Sequence, residues 1–259
     1  GAAVATVSGQ VVSCALGIFL NYKFNPEIRL NFKGFRLHGE TVKRIYSVGV
    51  PSMLMMGIGS VMNFSLNKIL IDFFSTTAAA VLGIYYKIQS FAFMPLFGMN
   101  NGIVPIIAYN YGAGKRRRIT KCIKLSVVYA TGIMLIAVAV FQIFPEQLLL
   151  MFNASKDMLN IGEPAFRIIS IHYLFAGFCI VMGTVFQAFG KGMLSLIVSI
   201  CRQLVVLLPV AFALAYFFKD NINVFWFCFP IAEVMSLTVS AICFVYIYKK
   251  IIKFVPNNK

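Results

Sequence analysis

Seven stretches of this chain are apolar for about 20 residues or more, the length a helix needs to cross a hydrocarbon layer about 30 Å thick. They run over roughly 1–22, 46–74, 78–110, 120–144, 160–189, 193–218 and 223–248. None alternates apolar and polar residues with period two between turn signals, so a membrane β-barrel is not expected. The sequence therefore predicts an all-α, polytopic membrane helix bundle of about seven transmembrane helices. Composition agrees. Apolar residues make up 60% of the chain and charged residues 12%, against about 25% in soluble proteins, too little polar surface to cover such a core in water.

Basic residues set the direction of the spans. Lys23, Arg29, Lys33, Arg36, Lys43 and Arg44 follow the first span. Lys115 to Arg118, Lys121 and Lys124 follow the third, Lys191 the fifth, and Lys249, Lys250, Lys253 and Lys259 the seventh. The alternate turns are nearly bare: 75–78 carries no charge, 145–159 offers only Lys156 as a base, and 219–222 only Lys219. Basic turns stay in the cytoplasm. The first span thus enters from outside, and the carboxyl terminus (251–259) is a cytoplasmic tail. The expected location is the inner (plasma) membrane. Segment 23–45 interleaves Phe, Leu and Ile with Arg, Lys and Glu, and is expected to lie as an interfacial connector on the cytoplasmic surface. Tyr109 and Tyr111 suit headgroup depth, Gly112 and Gly114 permit the turn, and the bases at 115–118 face anionic lipid.

The formal charge of +15 does not mark a nucleic-acid binder, because the bases cluster at span ends rather than on one polar domain. The six cysteines show no CxxC spacing and read as small packing residues, with no disulfide or metal site expected. The apolar opening has no basic region before it, which argues against a signal peptide; the chain is expected to begin inside a longer protein. No GxSxG, HExxH or Walker motif occurs, so an enzyme or ATP-driven pump is not expected.

Polar groups at membrane depth are costly and mark candidate functional positions. Met56, Ser60, Asn63 and Asn67 fall on one helix face of the second span. Lys68 and Asp72, four apart, form a candidate pair. The third span carries Lys87, Gln89, Asn100 and Asn101. The short turn between the two spans predicts an antiparallel hairpin that sets Asn67 and Lys68 level with Tyr86 and Lys87. The plainer reading is that Ser and Asn join helices and Lys68 snorkels outward. Glu163 and Arg167 read as a surface ion pair. His172 lies deeper, within titration range of neutral pH. Arg202 sits near mid-depth and must meet a carboxylate, backbone carbonyls or water. Glu233 is the deepest carboxylate, about 7 Å from it in depth by residue count. The third span, about 48 Å long, holds Pro95 and Pro105, and bent helices of this kind suit a transporter that rocks between states.

Four ordered stretches resemble the bacterial MATE family, the multidrug and toxic compound extrusion transporters. GIYYKIQSFAFMP (83–95) and PLFGMNNGIVPIIAYNYGAGKRRR (95–118) are similar to the family's eighth span. VFQAFGKGMLSLIVSICRQ (185–203) resembles the turn between its tenth and eleventh, and FPIAEVMSL (229–237) its twelfth. The resemblance implies that 1–22 is the last helix of an amino-terminal lobe, 23–45 the link, and 46–250 a six-helix carboxyl-terminal lobe. The partners it implies are membrane lipid, the amino-terminal lobe of the same protein, and small drug-like cations. It also implies export of cationic or amphipathic compounds by exchange for H⁺ or Na⁺, with no cofactor beyond that coupling ion.

On this reading Asn63, Asn67, Lys87 and Gln89 face a central cavity, joined by Asn100, Asn101 and His172, with Arg202 and Glu233 as a support pair or ion relay. The alternatives are a flippase for lipid-linked precursors and, more remotely, a seven-span receptor. The orientation is testable: cysteines placed at Arg117 and Thr77 should react with an impermeant reagent from opposite faces of sealed vesicles. Reaction from the same face contradicts it.

Overall fold

A computed structural model describes residues 2–25 and 38–256, and every element among them is helical. The chain divides into two compact units, 1–46 and 47–259. The first contains α1 (Ala2–Phe24), which is long and apolar enough to cross a bilayer. Most of the expected connector, residues 26–37, lies outside the described residues, as do 257–259 of the tail. The connector's described ends are helical: α1 continues to Phe24, and α2 begins at Gly39.

The helices that follow are α2 (Gly39–Phe73), α3 (Thr76–Gly112), α4 (Arg116–Ile143), short α5 (Pro145–Leu150), α6 (Lys156–Ser170), α7 (Tyr173–Ala188), α8 (Gly192–Ile200), α9 (Leu208–Phe217), short α10 (Ile222–Phe225) and α11 (Cys228–Lys250). A π-helical turn, Cys201–Leu207, joins α8 to α9. Among the described residues, six helical runs are long and apolar enough to cross a bilayer. The expected fifth span is different. It is the pair α6–α7, bent by 52°. No proline or glycine stands at Ile171–His172. There the backbone tightens into i→i+3 bonds, Ile171 N to Ile168 O (3.3 Å) and His172 N to Ile169 O (3.1 Å), and His172 Nδ1 approaches Ile169 O at 2.6 Å. A side chain that meets a carbonyl of the helical ladder is a recognised cause of a kink.

Two turns use one device. Gly114 (φ +67°) and Gly190 (φ +70°) take the left-handed conformation. Lys115 N then donates to Asn110 O (2.9 Å), and Lys191 N to Phe186 O (2.8 Å), closing Schellman caps on α3 and α7. At the α3–α4 turn it is therefore Gly114 that reverses the chain, while Gly112 is the last helical residue. Arg116 beside this turn donates to Lys253 O (3.3 Å) and to Tyr248 Oη (3.2 Å), so the α3–α4 turn and the end of α11 share one end of the bundle. At the other end Phe74 packs on Phe225 (5.7 Å) and Lys219 lies over Phe73 (5.7 Å), which brings the α2–α3 and α9–α10 turns together. The basic turns and the bare turns thus segregate to opposite ends.

The core of the second unit lies between α3, α4, α6, α7 and α11. Tyr85, Phe141, Phe166 and Tyr173 form an aromatic cluster with ring centroids 5.4–6.4 Å apart, and Phe229 joins it from α11, 6.2 Å from Tyr85. Small residues bring two of these helices into close contact. A Cβ on Gly177 would lie 3.1 Å from the Ala130 carbonyl oxygen, so α4 and α7 meet nearly backbone to backbone.

α2 makes few close backbone approaches to any other helix, α3 included. Its side chains reach α8–α9: a Cβ on Gly192 would lie 3.9 Å from Pro51, one on Gly59 3.8 Å from Gln203 Oε1, and Phe73 sits 5.7 Å from Phe212. The expected α2–α3 hairpin is therefore splayed. The contacts advance together along both helices, as they must if the second and sixth spans cross in the same direction.

The backbone approach at Gly177 gives a prediction. Gly177→Val forces α4 and α7 apart and should cost about 1–3 kcal/mol. Gly132→Ala, which meets open space on α4, should hold or raise stability. Thermal unfolding in detergent measures both.

Candidate functional site

A cavity of about 570 Å³ opens inside the second unit. Two helix faces make most of its wall. Gln89, Phe93, Phe97, Asn100, Asn101 and Val104 recur at helical spacing on α3, and Ala176, Cys179, Ile180, Gly183, Thr184 and Gln187 do so on α7. His172 enters from the α6–α7 bend, Ser199 from α8, Arg202 from the π turn and Ser236 from α11. The wall is therefore aromatic and aliphatic, with converging amides, hydroxyls and one guanidinium. That is the mixture of a site for a small amphipathic molecule.

Arg202 reaches the cavity through an irregular backbone. Pro209 has no N–H for the carbonyl four residues back, and the helix upstream widens into the π turn, where Leu208 N bonds Gln203 O. Arg202 Nη1 donates to Glu233 Oε2 at 3.4 Å, the one ion pair among the described residues. The guanidinium side chain keeps 32% of its surface exposed, and Glu233 only 4%. The carboxylate lies behind the arginine, off the cavity wall, and its Oε1 has no hydrogen-bond partner. Gln203 is turned away, its Nε2 donating to Ser199 Oγ at 2.7 Å. His172 stacks edge-on against Tyr173 (4.7 Å) and near-parallel to Phe229 (6.1 Å). With Nδ1–H spent on Ile169 O, its Nε2 is the free ring nitrogen, an acceptor in the neutral ring. Asn100 is buried and its Oδ1 has no partner.

Of the polar residues expected from sequence, Gln89, Asn100, Asn101, His172 and Arg202 line the cavity, and Glu233 stands behind Arg202. Asn63, Asn67 and Lys87 do not line it. Lys87 and Gln89 are two residues apart, about 200° around a helix, so one points away when the other points in. The Lys87 amine lies over the Phe152 ring instead, 5.9 Å from its centre. Asn67 satisfies its amide on its own helix, donating to Asn63 O (2.8 Å) and Asn63 Oδ1 (2.6 Å). Neither Lys68–Asp72 nor Glu163–Arg167 forms an ion pair, in keeping with the small gain such exposed pairs offer. The α7 stripe escapes a search for polar residues at depth, because small and hydroxylic side chains carry no charge. Its period, A-x2-CI-x2-GT-x2-Q, is the signal that could find it.

An apolar helix bundle with a polar, singly charged cavity at membrane depth is the architecture of a membrane transporter lobe. Comparison with known proteins agrees. Residues 51–213 match the MatE family model, and the chain belongs to this family, the MATE transporters; it is a multi-pass membrane protein. It is 25% identical over 214 residues to the multidrug export protein MepA of Staphylococcus aureus strain MSSA476, a match that covers 82% of this chain and 46% of MepA. A MOP superfamily transporter from Pyrococcus furiosus shares the fold with a TM-score of 0.86 at 23% identity, over 96% of this chain and 57% of that one. The MATE multidrug transporter DinF-BH, solved in complex with the dye rhodamine 6G, aligns with a TM-score of 0.81 at 30% identity, over 98% of this chain and 56% of its own. The chain spans about half the length of the relatives it matches.

Proposed function

We propose that the chain forms the carboxyl-terminal lobe, with one further helix, of an ion-coupled antiporter that exports cationic or amphipathic drug-like compounds by alternating access. The amino-terminal lobe of the same protein supplies the other half of the pathway. The protein acts as a transporter rather than a catalyst. It lies in the plasma membrane, the inner membrane of the cell, with the basic turns and the carboxyl terminus in the cytoplasm. The single observation that carries the reading is the Arg202–Glu233 pair at 3.4 Å beside a polar cavity within apolar helices. The relatives' names support the substrate class, since MepA is a multidrug export protein and DinF-BH was solved with a bound dye.

The coupling step follows from the pair. Glu233 holds Arg202 through one oxygen and leaves Oε1 uncommitted. A proton or Na⁺ that binds this carboxylate competes with the guanidinium. Its charge is then neutralised, its hold on Arg202 weakens, and the arginine is released toward the cavity. Inward-open and outward-open states that hold Arg202 differently are biased by that exchange, because an ion shifts an equilibrium only through its differential affinity for the two states. Gln89, Asn100 and Asn101 offer amide contacts to cargo, and Phe93 and Phe97 offer apolar surface.

The test is export of rhodamine 6G from proteoliposomes that contain the intact protein, driven by an imposed H⁺ or Na⁺ gradient. Glu233→Gln keeps the shape of the side chain but cannot ionise. It should lower gradient-driven export about tenfold, equivalent to about 1.4 kcal/mol. Lys87→Ala, on the far face of α3, should transport at close to the unmodified rate. Full export by Glu233→Gln removes the coupling role.

A further inference from the structure

Arg202 is the only charged side chain among the described residues that line the cavity; no Asp or Glu lines it. Glu233, the one carboxylate paired with it among the described residues, is 3% exposed and sits behind the guanidinium. The pair is neutral as a whole but not symmetric toward the cavity, where the cation is the nearer and more accessible partner. Arg202 spends one nitrogen on Glu233, through a bond of 3.4 Å. A guanidinium has five N–H donors in a planar fork, so donors remain for a second planar acceptor. Asn100 and Gln89 add amide donors to the same wall, and the Phe93 and Phe97 rings give an apolar face.

We infer that this cavity recognises the carboxylate of an amphipathic, zwitterionic cargo, with Arg202 as the carboxylate-binding residue and Phe93 and Phe97 against the cargo's aromatic body. This rests on the efflux reading above and narrows its substrate class. A cargo that is only cationic meets a like charge here and no carboxylate on the wall, which costs affinity. A cargo that also carries a carboxylate meets a planar fork suited to two parallel N–H···O bonds. The cationic end of such a molecule points away from Arg202. Glu233 orients the guanidinium from behind and does not touch the cargo.

A matched pair of probes isolates the carboxylate. Rhodamine 6G is an ethyl ester and a cation; its de-esterified free acid keeps the same ring system and carries a carboxylate. Binding of each to the intact protein in lipid nanodiscs is read by fluorescence anisotropy. The free acid should bind about tenfold more tightly, the scale of one charge-assisted hydrogen bond net of desolvation. Arg202→Gln alone strands Glu233 and risks misfolding, so the Arg202→Gln/Glu233→Gln double variant, which removes both charges together, serves as the control. It should bind the two dyes equally. Tighter or equal binding of the ester by the unmodified protein overturns the inference, as does a free-acid preference that survives in the double variant. Binding is measured without transport, so the two readings fail separately: loss of gradient-driven export defeats the efflux reading alone, and loss of the dye preference defeats the carboxylate site alone.

Discussion

Hydrocarbon does not solvate a guanidinium. A charge placed within an apolar span must find an opposite charge, a polar wall or water, and the second unit of this chain is arranged around that requirement. Arg202 meets Glu233 at 3.4 Å on one side and a polar cavity on the other. The carboxylate arrives from α11 and the arginine from the turn between α8 and α9, so the pair ties two spans together at the depth where the bilayer offers them nothing. The remaining polar groups follow the same rule by smaller means. Asn67 bonds to Asn63, Gln203 to Ser199, and Ser195 Oγ to Gly183 O at 2.8 Å, each within or between helices.

The irregular backbone is found at the same place. The α6–α7 bend delivers His172 to the cavity, and the π turn delivers Arg202. Non-helical geometry is tolerated at membrane depth only where protein or a polar cavity covers it, because lipid cannot satisfy a freed carbonyl. Elsewhere α3 and α4 run unbroken for 37 and 28 residues, α3 with two prolines inside it, and small residues such as Gly177 and Ala130 let helices approach closely. In the proposed coupling step, a change of charge at Glu233 acts on closely packed helices around a cavity with these two irregular walls.

Much of the architecture is legible in the sequence because the bilayer imposes a length and a sidedness. Apolar runs of about 20 residues locate the spans, and the clustering of Lys and Arg locates the turns that Arg116 joins to the end of α11. The break in the fifth span is not legible. It lies at Ile171–His172, without proline or glycine, and depends on a histidine that meets a carbonyl three residues back. The lateral direction of single polar residues is only partly legible. Lys87 and Gln89 are neighbours in sequence and opposed on the helix, and a depth count that sets Asn67 level with Lys87 assumes a closed α2–α3 hairpin, whereas α2 approaches α3 at few points. The α7 wall is hidden because cysteine, glycine and threonine carry no charge to mark them.

In the proposed transporter Arg202 and Glu233 act as one unit. A double-mutant cycle in detergent, with Arg202→Gln, Glu233→Gln and both together followed by thermal unfolding, measures that directly. Each single substitution leaves a charge without its partner, and the pair of substitutions leaves none. The double variant is expected to unfold at a temperature closer to the unmodified protein than either single variant does. Strictly additive losses contradict the claim that the cavity's charge is held by this pair.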